Sequence, residues 1–492
     1  MLVECRALPL EINQVDLHAA QAAFFNPDNA HTSFTAFYQA LISMVETEAK
    51  LISSVNPEII KALDYVFQNL DPAQKFDEKY LGHMLTESSI PALFAYFMAM
   101  RIGSNTVAEE VSSRETQLEP EAIRWMIDLI GYDPEKASGT FTSGGSLANT
   151  TALWVARELA SERNQNSRTK FVVLVNPFVH YSIDKSIRIL CGPYKDSVQL
   201  VRLPSKNLAI DPAALVAAIA EVKAQGKEVM AVVAIAGETE TGLIDDFNAI
   251  ADITEENGIY LHADAAYGLP YKMSSRAHLF AGIERANSVT IDPHKALNIP
   301  YSAGAVVFRS SQEHSRVQFN AEDAEYVFKE GKASLGQKRI EGSMGAGPIL
   351  ATVAAIRALS TEQWKALLDH SLVNIESLYD RLLVSPVLMP VHEPELNILC
   401  FTLRPEFCQA HGIVRNNELK KLINQTAASL WTETGYFFST TNLPVDSSIS
   451  CLETKSNHQY VYRAVPMHPR TEQEHLDEAI GMLEQRIMAA VT

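Results

Sequence analysis

The sequence predicts an α/β protein whose large domain contains a mainly parallel sheet covered by helices. Short unbroken apolar runs alternate with stretches of helical spacing between about residues 140 and 309. Strands that are apolar on both faces are typical of parallel sheets. The runs lie at residues 171–175, 231–235, 259–261 and 305–308. A helical segment is predicted before this region and a small α+β C-terminal domain after it.

The N-terminal segment, residues 1–105, is predicted to be helical because apolar residues recur every three or four positions. They do so at Phe34, Phe37, Tyr38, Leu41 and Ile42, and again at Leu93, Tyr96, Phe97 and Met100. The cofactor-binding α/β domain is assigned to residues 106–371. The C-terminal domain, residues 372–492, is expected to contain a helix, a strand at 396–401 and a terminal helix from about Thr471.

The composition argues against several classes of protein. The chain has 492 residues, and 41 basic against 59 acidic residues give a net charge of −18, which disfavours nucleic-acid binding. No apolar stretch approaches the roughly 20 residues of a membrane span. The five cysteines are widely separated and show no metal-binding spacing, so reduced thiols and no metal site are expected. Without a recognisable signal peptide, a cytoplasmic location is expected.

A lysine and an aspartate stand at the ends of two apolar runs, where surface charges would be unusual. Residues 290–298, TIDPHKALN, place Lys295 beside a histidine and a proline, and residues 261–267, LHADAAY, place Asp264 among alanines. Pyridoxal phosphate needs one amine to hold its aldehyde and one carboxylate to keep its ring nitrogen protonated. The pair suggests this cofactor, although Asp264 alone fits a capping residue equally well.

Residues 142–149, TSGGSLAN, precede an amphipathic helix and fit a phosphate-binding loop. Glycines let the backbone approach a ligand closely, and free N–H groups at a helix N-terminus bind phosphate. Taken alone, the stretch also fits an ordinary Gly-Ser turn. Its position before Lys295 and Asp264 in the chain favours the phosphate interpretation.

His180 and His262 lie close to two of the predicted strands in the sequence. His180 comes after the run at 171–175, where it can lie flat on a cofactor ring or meet a substrate carboxylate. A lone histidine is more often structural, so this role depends on the neighbouring signals. His262, two residues before Asp264, is interpreted as structural.

In order and separation, these stretches resemble the group II pyridoxal-phosphate amino-acid decarboxylases over about residues 80–359. That family includes glutamate, aromatic amino-acid, histidine and tyrosine decarboxylases. Residues 80–84, YLGHM, and 292–304 look most like the bacterial tyrosine decarboxylase branch. The resemblance implies the fold-type-I (pyridoxal-phosphate transferase-like) architecture. It also implies a carboxy-lyase that converts an L-amino acid to its amine and carbon dioxide. The first candidate substrate is an aromatic amino acid such as tyrosine.

The resemblance also implies roles for single residues. Lys295 would bind the cofactor covalently, His180 would stack on the ring, and Asp264 would bind the ring nitrogen. The other cofactor-binding positions would be Gly145, Ser146, Thr239, Ala266, His294, Gly342 and Ser343, and the substrate-lining positions His83, Thr86 and Asn105. Asp292 stands where many relatives have asparagine, and no phosphate role is expected for it.

Two of these roles imply movement or assembly. Tyr326 would sit in a mobile loop and is a candidate, with His180 and His294, to protonate the α-carbon after carbon dioxide leaves. The segment at Gly342 and Ser343 would reach the phosphate from a partner subunit, which implies a homodimer with shared active sites.

Three alternatives stay open. The substrate could be glutamate or aspartate. The reaction could instead be carbon–carbon lysis, as in the sphingosine-phosphate lyases, although their usual N-terminal membrane segment is not evident in this sequence. A silent regulatory homologue is the non-enzymatic alternative, and the intact Lys295, Asp264 and glycine loop argue against it.

Overall fold

The computed structural model describes residues 76–164, 170–191, 197–206, 208–318, 334–444 and 458–492, with a few isolated positions between residues 16 and 69. Within these ranges, no helix is both long enough and apolar enough for a membrane span. The predicted helical stretch from Phe34 to Ile42 lies outside the described residues.

A large mixed sheet forms the centre of the fold. Its strands are β1 (Ser138–Thr142), β2 (Phe171–Val175), β3 (Val198–Arg202), β6 (Glu228–Ile235), β7 (Tyr260–Asp264), β8 (Ser288–Ile291) and β9 (Gly304–Phe308). A separate short ladder pairs β4 (Ser205–Lys206) with β5 (Ala209–Ile210). The strand order of the large sheet is β1-β9-β8-β7-β6-β2-β3. The strands from β3 to β8 in this order run parallel, and β9 is antiparallel to both of its neighbours.

The predicted mainly parallel sheet is therefore confirmed, and all four apolar runs form strands. The expectation was wrong for the direction of residues 305–308, which form the antiparallel β9. A strand buried on both faces is apolar on both faces whether it runs parallel or antiparallel to its neighbours, so the apolar run does not reveal its direction. A parallel connection needs a crossover of about a dozen or more residues, usually a helix, whereas turns join β8 to β9.

Helices pack on both faces of the sheet. They are α1 (Ile90–Ile102), α2 (Ser113–Ile130), α3 (Gly145–Arg163), α4 (Tyr181–Cys191), α5 (Pro212–Ala224), α6 (Phe247–Asn257), α7 (Ser311–His314) and α8 (Gly347–Ala358). In β2, Val173 and Val175 pack in a cluster with α3 and α4. Val172 and Leu174 point the other way, into the core formed with α2, α5 and α6. This alternation follows from the two-residue period of a strand.

The predicted helix around Leu93 and Met100 is present as α1. It begins with Pro91 in its first turn and ends at Gly103, whose φ of 69° is left-handed. Leu93 and Met100 are 55% and 61% exposed in the single chain. The helical spacing was thus read correctly, but it does not place these two side chains in this chain's core.

The C-terminal part has the predicted α+β architecture. It contains α9 (Thr361–Leu383), β10 (Leu388–Pro390), β11 (Leu399–Leu403), α10 (Pro405–Ala410), α11 (Asn416–Thr434), β12 (Ser439–Pro444), β13 (His458–Ala464) and α12 (Gln473–Val491). The strands form an antiparallel sheet in the order β10-β11-β13-β12. The boundary placed after residue 371 falls inside α9, and the domain limits stay predictions.

Candidate active site

A cavity of about 320 Å³ lies where β2, β6, β7 and β8 end. The carboxyl ends of parallel strands are the usual ligand-binding edge of such a sheet, and the volume is within the range of about 300–1,000 Å³ typical of small-molecule sites. Eight of the residues predicted from the sequence line it together: Gly145, Ser146, His180, Thr239, Asp264, Ala266, His294 and Lys295.

Lys295 lies in the turn that follows β8. Its backbone N–H donates to the Asp292 carbonyl over 2.9 Å, and its carbonyl accepts from the Asn298 N–H over 3.0 Å. The Nζ atom lies 3.3 Å from Asp292 Oδ2, and the side chain is 20% exposed. The turn and the carboxylate together hold the amine at the cavity wall, within reach of an aldehyde placed there.

Asp292 is buried between this lysine and the glycine loop. A Cβ added to Gly145 would come within 2.8 Å of Oδ2, and one added to Gly304 within 2.8 Å of Oδ1. The Oδ1 atom has no hydrogen-bond partner among the described residues. The carboxylate therefore points toward the loop, where Lys295 and the His294 ring, 3.6 Å away, lie beside it.

Asp264 ends β7 with its carboxylate at the cavity wall. Oδ1 accepts from the Ala266 N–H over 3.3 Å, and Oδ2 accepts from Asn149 Nδ2 over 2.9 Å. The residue is 7% exposed. A carboxylate held by two donors and bordering a cavity is well placed to pair with a protonated ring nitrogen.

The glycine loop approaches β9 unusually closely. Gly144 has φ 150°, and a Cβ added to Gly304 would lie 2.5 Å from the Gly144 Cα atom. Gly144 is also the N-cap of α3 and offers no capping side chain. The Ser143 N–H donates to Glu341 Oε1 over 2.6 Å. Such an uncapped helix N-terminus is a ready site for a phosphate group.

Two histidines border the cavity, and burial chiefly lowers the pKa of both. His180 Nδ1 accepts from the Ser182 N–H over 3.3 Å, so a neutral His180 carries its proton on Nε2. The carboxylate of Asp264 partly offsets the lowering of the His180 pKa. His294 Nδ1 lies 2.5 Å from the Ala303 carbonyl, to which it donates, and this leaves Nε2 facing Asp292. The Asp292 carboxylate partly offsets the lowering of the His294 pKa.

Arg463 of β13 ties the Thr239 loop to the small domain. Its guanidinium donates to the carbonyls of Thr239 over 2.5 Å, Gly82 over 2.7 Å and Glu240 over 3.2 Å. Arg463 is 5% exposed. A buried planar donor with three carbonyl partners fixes the relative positions of the chain segments that carry them.

The structure does not bring every predicted residue to the cavity. Gly342, Ser343, His83, Thr86 and Asn105 do not line it. Asn105 pairs with Gly345, beside Ser343, and His83 follows the Gly82 carbonyl bound by Arg463. Glu341, next to Gly342, contacts the loop of its own chain at Ser143. The substrate and partner-subunit roles of these residues stay predictions, and Tyr326 lies outside the described residues.

Sequence reasoning assigned no role to three residues of this region. Asn149 stood inside the glycine-loop motif, but its contact with Asp264 crosses 115 positions of sequence. Tyr301 lines the cavity, and its ring lies 3.9 Å from the His294 ring. Arg463 lies within β13 among aromatic and β-branched residues, and a charge at such a position was the one available signal.

The residues present fit pyridoxal phosphate. An amine, a buried carboxylate and an uncapped helix N-terminus surround one cavity, with a histidine ring on its wall. These are the groups that the aldehyde, the ring nitrogen, the phosphate and the ring face of this cofactor require. The site therefore defines a cofactor-dependent enzyme with the chemistry of the pyridoxal family.

Comparison with known proteins agrees with this class. Residues 55–404 match the model described as "Pyridoxal-dependent decarboxylase conserved domain". An aspartate 1-decarboxylase of Aliivibrio fischeri is 29% identical over 451 residues, covering 84% of this chain and 79% of that protein. An aromatic-L-amino-acid decarboxylase of Bacillus atrophaeus is 37% identical over 202 residues, 41% of each chain.

Solved structures show the same fold. The crystal structure of Oryza sativa TDC with PLP and tryptamine has a TM-score of 0.76 at 15% identity, covering 95% of this chain and all (100%) of that one. The crystal structure of mouse CSAD has a TM-score of 0.72 at 21% identity and covers 84% of each chain. The chain belongs to the pyridoxal-dependent decarboxylase family. It is a carboxy-lyase of amino acids that uses pyridoxal phosphate.

Proposed function

We propose that the enzyme decarboxylates an aromatic L-amino acid, with tyrosine as the first candidate. Phe178, Tyr181 and Tyr301 line the cavity, and Lys295 is its only lysine or arginine among the described lining residues. An acidic substrate side chain would need a cation to offset its loss of water, and Lys295 is required by the cofactor. This aromatic wall without a spare cation is the observation that carries the proposal.

Aspartate is the second candidate. The Aliivibrio fischeri relative is described as an aspartate 1-decarboxylase, and the similarity extends over 84% of this chain. An aspartate side chain would need a cation from outside the described lining of the cavity. Glutamate has no comparable support among the relatives compared above.

Each lining residue has a proposed task. Bound pyridoxal phosphate supplies a ring that accepts the electrons of the broken bond between the α-carbon and the carboxylate. Lys295 would supply the amine that holds the aldehyde. Asp264 would pair with the protonated ring nitrogen, and Ala266 and His180 would contact the ring.

The phosphate would be held at the N-terminus of α3. Gly145 and Ser146 offer backbone N–H groups there, and His294 Nε2 faces the same region. Thr239 lies at the cavity wall, where Arg463 fixes its carbonyl. His83, Thr86 and Asn105, which do not line the cavity, stay candidates for contact with a part of the substrate that extends beyond it.

The α-carbon must receive a proton after carbon dioxide leaves. Tyr326, which lies outside the described residues, is proposed as the donor on the family resemblance of the sequence. His180 is the alternative, because its neutral form carries its proton on Nε2. His294 is a weaker alternative, since its Nδ1 proton is used by the Ala303 carbonyl.

A homodimer with shared active sites is part of the proposal. Apolar side chains of α1 and of the site region are exposed in the single chain: Leu93 by 55%, Met100 by 61%, Tyr301 by 54% and Ile340 by 46%. Contact with a partner subunit would remove these side chains from water. Gly342 and Ser343, next to Ile340, would then face the phosphate of the partner's site. A cytoplasmic location is proposed from the sequence alone.

A substrate panel tests the proposed function. The purified protein is saturated with pyridoxal phosphate and incubated with each of the twenty amino acids, while carbon dioxide and amine are measured. We expect the highest kcat/KM with tyrosine or another aromatic amino acid, and no turnover by Lys295→Ala. The highest kcat/KM with aspartate would replace the aromatic proposal by the second candidate. Carbon dioxide from none of the twenty would refute both.

A further inference from the structure

A chain of three buried polar side chains ends on the Asp264 carboxylate. Ser288 Oγ lies 2.8 Å from His262 Nδ1, and His262 Nε2 lies 3.0 Å from Asn149 Oδ1. Asn149 Nδ2 then lies 2.9 Å from Asp264 Oδ2. His262 and Ser288 are fully buried, and Asn149 is 1% exposed. We call Ser288, His262 and Asn149 the relay.

The fold brings the relay together from three elements. His262 and Asp264 are two residues apart on β7, so their side chains point to the same face of the sheet. Ser288 is the register partner of His262 on the parallel strand β8. Asn149 lies near the start of α3, directly after the glycine loop. The relay thus joins the proposed phosphate end of the site to the proposed ring-nitrogen end.

The carboxylate fixes the direction of every hydrogen bond in the relay. An ionised carboxylate only accepts, so Asn149 must turn its NH2 group toward Asp264 and its oxygen toward His262. His262 must then carry its proton on Nε2. Its Nδ1 is left to accept from the Ser288 hydroxyl. All three donors therefore point toward Asp264, an arrangement in which each bond strengthens the next.

The relay itself stays uncharged. Burial lowers the pKa of His262 to about 4, although the Asp264 carboxylate acts in the opposite direction. Among the described residues, Asn149 makes the only side-chain hydrogen bond to Asp264; the other bond comes from the Ala266 N–H. A neutral donor chain stabilises the anion without neutralising it, so the charge of Asp264 is kept for a partner in the cavity.

We propose that His262 and Asn149 are positioning residues that orient the Asp264 carboxylate toward the cofactor ring. This inference rests on the proposed role of Asp264 and goes beyond the sequence interpretation of His262 as structural. His262 touches neither cofactor nor substrate. It acts only through Asn149, and the Ser288 hydroxyl holds its tautomer.

The test compares His262→Leu with His262→Gln. Leucine fills similar space but cannot donate to Asn149, whereas the glutamine amide can place an N–H where Nε2 stood. We expect His262→Leu to raise the dissociation constant for pyridoxal phosphate by roughly three- to tenfold, the size of one lost hydrogen bond. The nitrogen-15 shift of labelled cofactor should show a less protonated ring. His262→Gln should restore both readouts.

His314 provides a matched control. It is fully buried, its Nδ1 lies 2.9 Å from Ser138 Oγ, and burial lowers its pKa to about 4, yet it has no contact with Asp264. His314→Leu should lower the melting temperature without moving either cofactor readout. If His262→Leu does not fold, Asn149→Ala removes the donor to Asp264 directly and should give the same cofactor readouts.

Two outcomes separate the relay from the site on which it depends. If Asp264→Asn changes both readouts and a folded His262→Leu or Asn149→Ala changes neither, the relay is refuted and the role of Asp264 stands. If a folded Asp264→Asn changes neither readout, the proposed role of Asp264 is refuted, and the relay with it. Equal changes in His314→Leu and His262→Leu would also refute the relay.

Discussion

Replacing Asp264 with asparagine removes the charge at the cavity wall while nearly preserving the side-chain shape. The carboxylate accepts from the Ala266 N–H and from Asn149 Nδ2 with separate oxygens. Asparagine has a single side-chain oxygen and can satisfy only one of these donors in the same way. Its NH2 group must face the other donor or the cavity. No anion then remains to pair with a protonated ring nitrogen.

The size of the effect follows from the bond that is lost. A charge-assisted hydrogen bond in a buried site contributes about 1.5–3 kcal/mol. Since about 1.4 kcal/mol corresponds to a factor of ten, the dissociation constant for pyridoxal phosphate should rise roughly 10- to 150-fold. The loss in kcat should be larger, because the ring accepts electrons in the transition state and preorganised charge acts most strongly there.

Cofactor fluorescence quenching measures the dissociation constant, and carbon dioxide release with saturating cofactor measures kcat. Asp369→Asn is the matched control. Asp369 is 2% exposed, accepts from the Ser275 N–H over 2.7 Å and pairs with Lys365, but it does not line the cavity. It should lose stability without losing cofactor affinity. Parent values of both constants in a folded Asp264→Asn, or an equal loss of affinity in Asp369→Asn, would refute the reasoning.

Three other changes test the role of Lys295, the proton donor and the sharing of active sites in a homodimer. Lys295→Ala should prevent borohydride from attaching the cofactor covalently to the chain, and it should reduce kcat by several orders of magnitude, because the amine that holds the aldehyde is gone. Covalent attachment at the parent level would contradict this. Tyr326→Phe should leave cofactor binding intact but slow protonation of the α-carbon. Some turnovers should then release an aldehyde instead of the amine and leave the amino group on the cofactor; an unchanged product ratio would move the donor role to His180. A heterodimer of Lys295→Ala and Ser343→Trp protomers should regain partial activity through one intact shared site, and a verified heterodimer without activity would exclude sharing.

Several residues of the cavity wall were predicted from the sequence because their signals are local, and their roles toward the cofactor stay predictions. Asp264 ends β7 and Lys295 comes four residues after the end of β8, and the carboxyl ends of neighbouring parallel strands meet at one edge of the sheet. Reading the strands therefore sufficed to bring these two residues together in the cavity. The glycine loop was found for the same reason, since a helix that follows a strand begins at this edge.

The contacts that orient these groups were not predictable in the same way. Asn149 meets Asp264 across 115 positions, and Arg463 meets Thr239 across 224. Such pairs depend on strand order and on how the small domain packs, which hydrophobic periodicity does not encode. His262 illustrates this, because it was interpreted as structural and the direction of its hydrogen bonds becomes visible only when Asn149 and Ser288 are placed around it.

The antiparallel direction of β9, which was not predicted from the sequence, explains how Lys295 and the glycine loop come to border one cavity. A parallel strand after β8 would require the chain to leave the carboxyl edge and cross to the opposite edge before returning. Because β9 runs backward, its first residue, Gly304, lies at the carboxyl edge and pairs with Thr142, the last residue of β1. The connection that carries Lys295 thus begins and ends at the cavity. Because Gly304 has no side chain, the backbone of Gly144 can come close to it. The glycine loop and the turn that carries Lys295 therefore line the same cavity.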